Sequence, residues 1–358
     1  MKHRRLAANR DRNIRTLSET LPNFGNHNLT GAAAAVIKDG ERVYSGAAGV
    51  LDANSRRLVK KDSVFQAASV SKLVNALGVL RLVQQGQLKL GDDIRDYVGS
   101  MLVPANRGQN SKPSIRRLLR HHAGTSQSGF RGYRQHITPL PTLDDIIRGS
   151  GPANHPAIIF SNVPGALYDY SGGGTTLLQK AIEVITDEGY QSWMKREVLL
   201  PLGMKRSSFE IGPPGSVAHE SEIASGHDVN GQVWPGRRHN YPESAAAGLY
   251  TTAIDLSQVI KVINSGGILD GVSFLAPDLI DKMLNAGQTN NVGLGCFLNS
   301  NGSWYHGGSN KGFLCRIAGF PAQNSGLVLL TNTDDPDGND NVNPMLDYFN
   351  ELKSIHEF

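Results

Sequence analysis

Residues 66–86 read QAASVSKLVNALGVLRLVQQG. From Leu73 onward, Leu73, Val74, Leu77, Leu80 and Val83 recur at three- and four-residue steps, and Gly86 supplies a stop, which predicts a helix leading into the core. Ser69 and Lys72 stand three apart at the head of that run, so on a helix they share a face. A charged amine placed there is either solvated or employed. The start of a helix offers unpaired N–H groups and the positive end of the dipole. A serine attacking a carbonyl needs a base for its proton and donors for the oxyanion that forms. Lys72 becomes such a base if desolvation lowers its pKa by about three units, or roughly 4 kcal/mol. The same spacing recurs at Ser192 and Lys195, part-way along another helical stretch; there it predicts an exposed serine and a snorkelling lysine.

On either side of this region the chain changes character. AAAAVIKDGERVYSGAAG (32–49) holds two apolar runs joined by Asp39-Gly40, a strong hairpin signal. The C-terminal part repeats the β pattern at 291–298, 303–308, 312–320 and 326–332, followed by a helix near 344–353. Residues 6–24 read as a helix with Ile14, Leu17 and Leu21 on one side. Roughly 70–290 is dominated by helical periodicity and long loops. Strands at both ends with helices between predict one antiparallel sheet built from both termini. The expected organisation is an α/β sheet domain from 1–65 and 245–358, and a mainly helical domain over 66–244. A cleft should open between them, with Ser69 at the junction.

The totals narrow the function. Of the 358 residues, 39% are hydrophobic and 19% charged, ordinary for a folded chain with a sizeable core. The net charge of +4 comes from the first sixteen residues, which carry six basic and one acidic side chain; the other 342 sum to −1. That placement argues against a nucleic-acid partner. No run reaches the length of a membrane span. The basic start has no apolar stretch behind it, which reads as a cytoplasmic chain, or an exported one whose leader is absent from this sequence. The two cysteines, Cys296 and Cys315, flank a central strand if their runs form a meander. They would then stand about 9.5 Å apart, beyond the roughly 7 Å reach of a disulfide, and stay reduced.

Four segments carry a resemblance over nearly the whole chain, in family order. They are FQAASVSK (65–72), IRRLLRHHAG (115–124), PGALYDYSGGGTTLLQKAIEVIT running on to LLPLGM (164–204), and WYHGGSNKGF (304–313); AAAGLYTTAIDLSQVI (245–260) adds a further match. Together they resemble the class C β-lactamases, DD-carboxypeptidases and related family VIII-type serine carboxylesterases. The resemblance implies the β-lactamase/transpeptidase-like fold, an antiparallel sheet flanked by helices with a mainly helical insertion. It also implies that Ser69 is the acylated nucleophile and Lys72 its close partner. Tyr170 is then the general base, later the acid to the leaving group, with its phenolate stabilised by the Lys72 ammonium. Tyr168 is expected to pack as a buried aromatic. His306, Gly307 and Gly308 fall on the third motif, and the N–H of Ser309 joins that of Ser69 in an oxyanion hole. No cofactor and no metal are implied.

Two positions depart from the family pattern. The second motif, usually Tyr-x-Asn, reads Tyr170-Ser171-Gly172, so an amide that would hold lysine and substrate is gone and space is expected in its place. The third motif has His306 where many β-lactamases carry lysine, and a neutral imidazole is a weaker anchor for a carboxylate. Both changes favour esterase, acyltransferase or peptidase chemistry over efficient β-lactam hydrolysis. His121, His122, His227 and His239 lack metal-ligand spacing and are expected to be satisfied or solvated. TDDPDGNDN (333–341) resembles a calcium loop only in composition and reads as a solvated turn. Trp234, Trp304 and the segment 233–244 are candidates to line the cleft, with Arg237 and Arg238 in an exposed turn.

The function expected is acyl transfer to water through a covalent Ser69 intermediate, on small-molecule esters, amides or peptides, carboxylesterase-like. DD-peptidase or D-amino-acid amidase activity, weak β-lactamase activity and acyl transfer to another acceptor are the alternatives within that chemistry. A non-catalytic binding protein on the same fold is the alternative outside it.

Overall fold

The computed structural model describes residues 21–99, 111–212, 219–287, 291–334 and 344–358. The N-terminal basic arm, residues 6–20 of the expected first helix and residues 335–341 of the acidic loop lie outside them. Seven strands form one antiparallel sheet: β1 (Gly31–Lys38), β2 (Glu41–Asp52), β3 (Arg57–Leu58), β4 (Phe297–Leu298), β5 (Trp304–Asn310), β6 (Phe313–Phe320) and β7 (Ser325–Thr331). Their order is β4-β5-β6-β7-β1-β2-β3, so the two ends of the chain meet where β1 pairs with β7. Asp39 and Gly40 both take positive φ, 51° and 76°, the geometry that matches the twist of a tight hairpin between β1 and β2. The run at 291–298 is the one expected strand that mostly fails. Only Phe297 and Leu298 pair with β5, and Val292 makes an isolated bridge to Phe297.

Alternation on these strands feeds two cores. Ala33, Ala35, Ile37, Cys315, Ile317, Val328 and Leu330 face a large core shared with the helices α1 (Ser71–Gln84) and α2 (Gly172–Thr186), and with α4 (Ala253–Asn264). Ala32, Ala34, Val36, Leu314, Leu327 and Leu329 face a smaller one under the C-terminal helix α5 (Pro344–Ile355). The alanine run of β1 lets the sheet be covered on both faces at its centre. Leu73, Val74, Ala76, Leu77, Val79, Leu80 and Leu82 of α1 are fully buried, more than one stripe of them, and only Val83 in the last turn is partly exposed. That is why the helix has no polar face over most of its length.

Two expectations about aromatic and basic side chains fail. Trp304 is wholly buried, its indole N–H bonded to Asn264 at 3.0 Å, because its strand turns it toward α4 instead of the cleft. Trp234 lies under Lys311, whose amine sits 3.8 Å from the ring centroid. Arg238 is buried, not exposed: it bonds Glu220 at 2.5 Å and the Tyr250 hydroxyl at 3.2 Å. Arg237 pairs with Asp52 at 3.6 Å. Among the four histidines set aside, His227 is saturated by the Asn332 carbonyl at 3.0 Å and the Ala53 N–H at 3.1 Å.

Both cysteines are free and buried, and burial raises both thiols, Cys296 to about 12. A thiolate is the reactive form. The folded protein is therefore expected to show no reaction with Ellman's reagent over minutes and two equivalents once unfolded; a thiol that reacts in the native state would contradict this burial.

Candidate active site

The turn carrying Ser69 is built by strain that its neighbours hold. Residues 68–70 form a single 3₁₀ turn ahead of α1, so Ser69 sits two residues ahead of the helix proper. Ala68 adopts φ 49°, a left-handed conformation that costs a residue with a Cβ on the order of 1–2 kcal/mol. The Ser71 hydroxyl donates to the Ala68 carbonyl at 2.5 Å and accepts from the Leu249 N–H at 3.0 Å, which pins the turn. The strand pair Phe65–Gln66 with Tyr250–Thr251 anchors the segment that enters it. Ser69 remains partly exposed while Ala67, Ala68, Val70 and Ser71 are buried.

Lys72 follows one turn later. Its amine donates to the Ser69 hydroxyl at 3.0 Å and to the Ala246 carbonyl at 2.8 Å, the latter on the short helix α3 (Ser244–Ala247). The residue is 3% exposed, and burial brings its pKa down from 10.5 to about 7. Desolvation disfavours the ammonium, and among the described residues no carboxylate is placed to restore it. A depression of about three units is what the sequence reading requires of Lys72 if it is to serve as a base, and burial acts in that direction.

Tyr170 enters just ahead of α2. Ser171 caps that helix by accepting from the Gly174 N–H, and its own N–H bonds Nδ1 of His121 at 3.2 Å. The Tyr170 hydroxyl hydrogen-bonds Ser69, and the ring lies 5.1 Å from the Lys72 amine. The amine thus meets the face of the ring, and its hydrogen bonds go to Ser69 and Ala246. Accordingly burial dominates and pushes the phenol up to about 12. This reverses the direction expected from an adjacent ammonium.

His306 is buried, its Nδ1 bonded to the Gly307 carbonyl at 2.6 Å, which makes Nδ1 the protonated nitrogen. Burial, then the charge of Lys72, hold its pKa at about 3. Gly308 lets β5 run against the Ser69 turn: a Cβ there would lie 2.4 Å from the Ala67 carbonyl and 2.9 Å from the Ser69 nitrogen. Asn310 fastens the strand by donating to Gln66 at 2.9 Å and to the Ala247 carbonyl at 3.0 Å. Ser69, Tyr170, His306, Gly307, Gly308 and Ser309 all border one cleft of about 600 Å³, and Lys72 lies directly beneath Ser69.

Some site features differ from expectation. Tyr168 is half-buried and lines the cleft, with its ring against His121 and His122. No space is left at Gly172, because a Cβ there would meet the Phe130 ring at 2.9 Å and the Ser128 carbonyl at 3.1 Å. His121, read as an unremarkable histidine, belongs to the site: its ring centroid is 4.4 Å from that of Tyr170, and burial and Lys72 hold it neutral. The signal for it was its place in IRRLLRHHAG. Phe297, Tyr305 and Arg316 also line the cleft. Among the described residues no group of three or more His, Cys, Asp or Glu is placed to hold a metal ion, and no helix is long and apolar enough to cross a membrane.

Protein flp of Staphylococcus aureus (strain MRSA252) is 25% identical over 309 residues, 85% of this chain and 60% of that protein, so the chain spans less than two thirds of that relative's length. Esterase EstB of Burkholderia gladioli is 26% identical over 261 residues, 66% of each chain. In fold, the D-amino acid amidase of Ochrobactrum anthropi SV3 superposes with a TM-score of 0.73 at 20% identity, covering 92% of this chain and 94% of the other. The β-lactamase family itself matches residues 10–348, from the basic arm to the C-terminal helix and across every segment that borders the cleft, and the chain belongs to that family.

Proposed function

We propose that this chain is a serine hydrolase of small esters and amides, carboxylesterase-like, working through a covalent acyl-Ser69 intermediate. The observation that carries this reading is the Lys72 amine, 3.0 Å from the Ser69 hydroxyl and with a pKa near 7. At neutral pH a large share of Lys72 is free amine, which accepts the Ser69 proton as the oxygen bonds to the substrate carbonyl carbon. Tyr170, with its phenol near 12, stays protonated and acts as acid to the departing alkoxide or amine. The acyl-enzyme is left with an ammonium at Lys72 and a phenolate at Tyr170; the phenolate then takes a proton from the incoming water, and Lys72 returns its proton to the Ser69 oxygen as the acyl group departs. Water then attacks the acyl-enzyme by the same steps in reverse.

The oxyanion donors follow from the ladder. Asn310 opposite Phe313 closes the β5–β6 hairpin, and antiparallel pairs alternate. Ser309 therefore turns its N–H away from β6 toward the open edge, on the side of Ser69. We further infer the two-part organisation of 1–65 with 245–358 against 66–244, with the cleft at their junction.

An esterase and an amidase stand among the relatives and structural neighbours, which supports the class of substrate. His306, neutral far below pH 7, cannot supply the cation that binds a β-lactam carboxylate beside the scissile bond. Short-chain p-nitrophenyl esters are therefore expected to be cleaved with higher kcat/KM than nitrocefin; the opposite ranking would sink the ester reading. A fluorophosphonate probe should add one label to the wild type and none to Ser69→Ala. An unlabelled wild type would point to a binding protein on this fold.

A further inference from the structure

The Lys72 amine makes two hydrogen bonds, to the Ser69 hydroxyl at 3.0 Å and to the Ala246 carbonyl at 2.8 Å, where an ammonium has three to give. The amide expected of the second motif is replaced by Gly172, and Phe130 fills the room beside it. One turn further along α1 stands Asn75, wholly buried. Its Oδ1 accepts from the Tyr190 hydroxyl at 3.1 Å, which orients the amide, and its Nδ2 has no hydrogen-bond partner among the described residues. Lys72 and Asn75 border one small cavity of about 10 Å³, together with Leu118, His121, Thr175 and Leu178. That is the size of a single water, and a buried water needs two to four polar partners. Lys72 and Asn75 offer N–H groups. The Thr175 hydroxyl donates to the Ser171 carbonyl at 3.3 Å and keeps its lone pairs to accept.

The third direction matters to a base. A free amine has two N–H bonds and one lone pair. If both N–H bonds serve Ser69 and Ala246, the lone pair points away from the serine proton and cannot take it. With an acceptor in the cavity, the N–H bonds go to Ala246 and to that acceptor, and the lone pair meets the Ser69 hydroxyl.

We infer that one water, held in this cavity by Asn75 and Thr175, takes the third bond of Lys72, which makes Asn75 a positioning residue that aims the base at Ser69. This rests on the base role of Lys72 proposed above. The sign of the effect identifies the water. An acceptor stabilises the ammonium, whereas an amide N–H facing it directly would oppose it. Tyr170, His121, His306 and Tyr190, the titratable groups around the pair, are all held neutral near pH 7 by burial, so the step in the profile belongs to Lys72. The test is kcat/KM for p-nitrophenyl acetate against pH in the wild type, Asn75→Leu, Thr175→Val and the double variant. Asn75→Leu should lower the pH of half-plateau by about one unit, as loss of one hydrogen bond to an ammonium does. Its plateau should drop by about tenfold. Thr175→Val leaves Asn75 its bond to Tyr190 and should move both the same way by less. The double variant should move no further than Asn75→Leu, because both act through one water. A high-resolution crystal structure of the wild type should show that water within hydrogen-bond reach of Lys72 Nζ and Asn75 Nδ2. No density there, or a half-plateau pH that does not fall in the variants, overturns this inference alone. A wild-type profile without a step near 7 overturns the base role of Lys72, and this inference with it.

Discussion

Lys72→Met is expected to lower kcat/KM for a p-nitrophenyl ester by about 10³-fold, within the range a general base contributes. Lys72→Arg should lose as much, although it keeps the positive charge, because a guanidinium does not give up its proton. That pair of variants separates a base from a cation that only attracts; an arginine variant with a tenth or more of wild-type activity would remove Lys72 from the base role. The pH profile carries the sign. The working form is the free amine, so kcat/KM should rise with pH, reach half its plateau near 7 and stay level above, until another group titrates.

The same shift enters stability. Lys72 has a folded-state pKa below its unfolded one, so between about 7 and 10.4 the unfolded chain binds more protons and stability grows with pH. Measured by denaturant unfolding, the gap between wild type and Lys72→Met should move by about 2 kcal/mol in favour of the wild type from pH 7 to 9. A constant gap would mean that the amine is not held neutral. Tyr170→Phe adds a contrast between substrates. A nitrophenolate leaves without a proton, whereas an amine does not, so loss of the phenol should cost amides far more than nitrophenyl esters.

How far the sequence reached differs from one element to the next, for physical reasons. The Asp39-Gly40 turn, the strands at 303–332 and the helix after Ser69 were legible because their signals are local: turn chemistry, alternation and helical spacing. The nearness of Ser69 and Lys72 was legible for the same cause, since three residues on one helical turn fix their distance. A depressed pKa at Lys72 was legible only as a condition, since whether the amine is desolvated depends on how the rest of the fold covers it. What could not be read depends on other elements. Nothing local marks Ala68 for a left-handed backbone; the demand comes from Leu249 through Ser71. The Tyr170 shift has the sign of burial because the amine sits over the ring and bonds elsewhere, an orientation that spacing does not encode. Phe130 occupies the room beside Gly172 from a loop some forty residues earlier in the chain. Arg316 reaches the cleft only because the residue paired with it across two strands is glycine.

Gly308→Ala is the second large effect. The added methyl would lie 2.4 Å from the Ala67 carbonyl oxygen, 2.9 Å from the Ser69 nitrogen and 3.0 Å from the Ala68 Cβ. None of these is the end of a flexible side chain, so relief requires β5 and the nucleophile turn to separate. The turn is braced by Ser71 and Leu249, and the strand by Asn310 on Gln66 and Ala247, so both sides resist. Overpacking of this kind typically costs 1–3 kcal/mol of stability, about what a folded domain can bear. The oxyanion pocket suffers more. As proposed above, it is formed by the N–H groups of Ser69 and Ser309, one on each of the elements forced apart, and losing one such donor costs about 10²–10³ in rate. The expected result is a folded protein with kcat reduced at least about a hundredfold and KM little changed, since the loss falls on the transition state. Gly307→Ala makes the matched comparison: its methyl would meet only Arg316 Nη1 at 3.5 Å and the Cys315 carbonyl at 3.9 Å, ordinary contacts. Its cost should be at most about tenfold and should appear chiefly in KM. If the two alanine variants lost the same amount, or Gly308→Ala kept its kcat, the close approach of strand and turn would not be what shapes the oxyanion site.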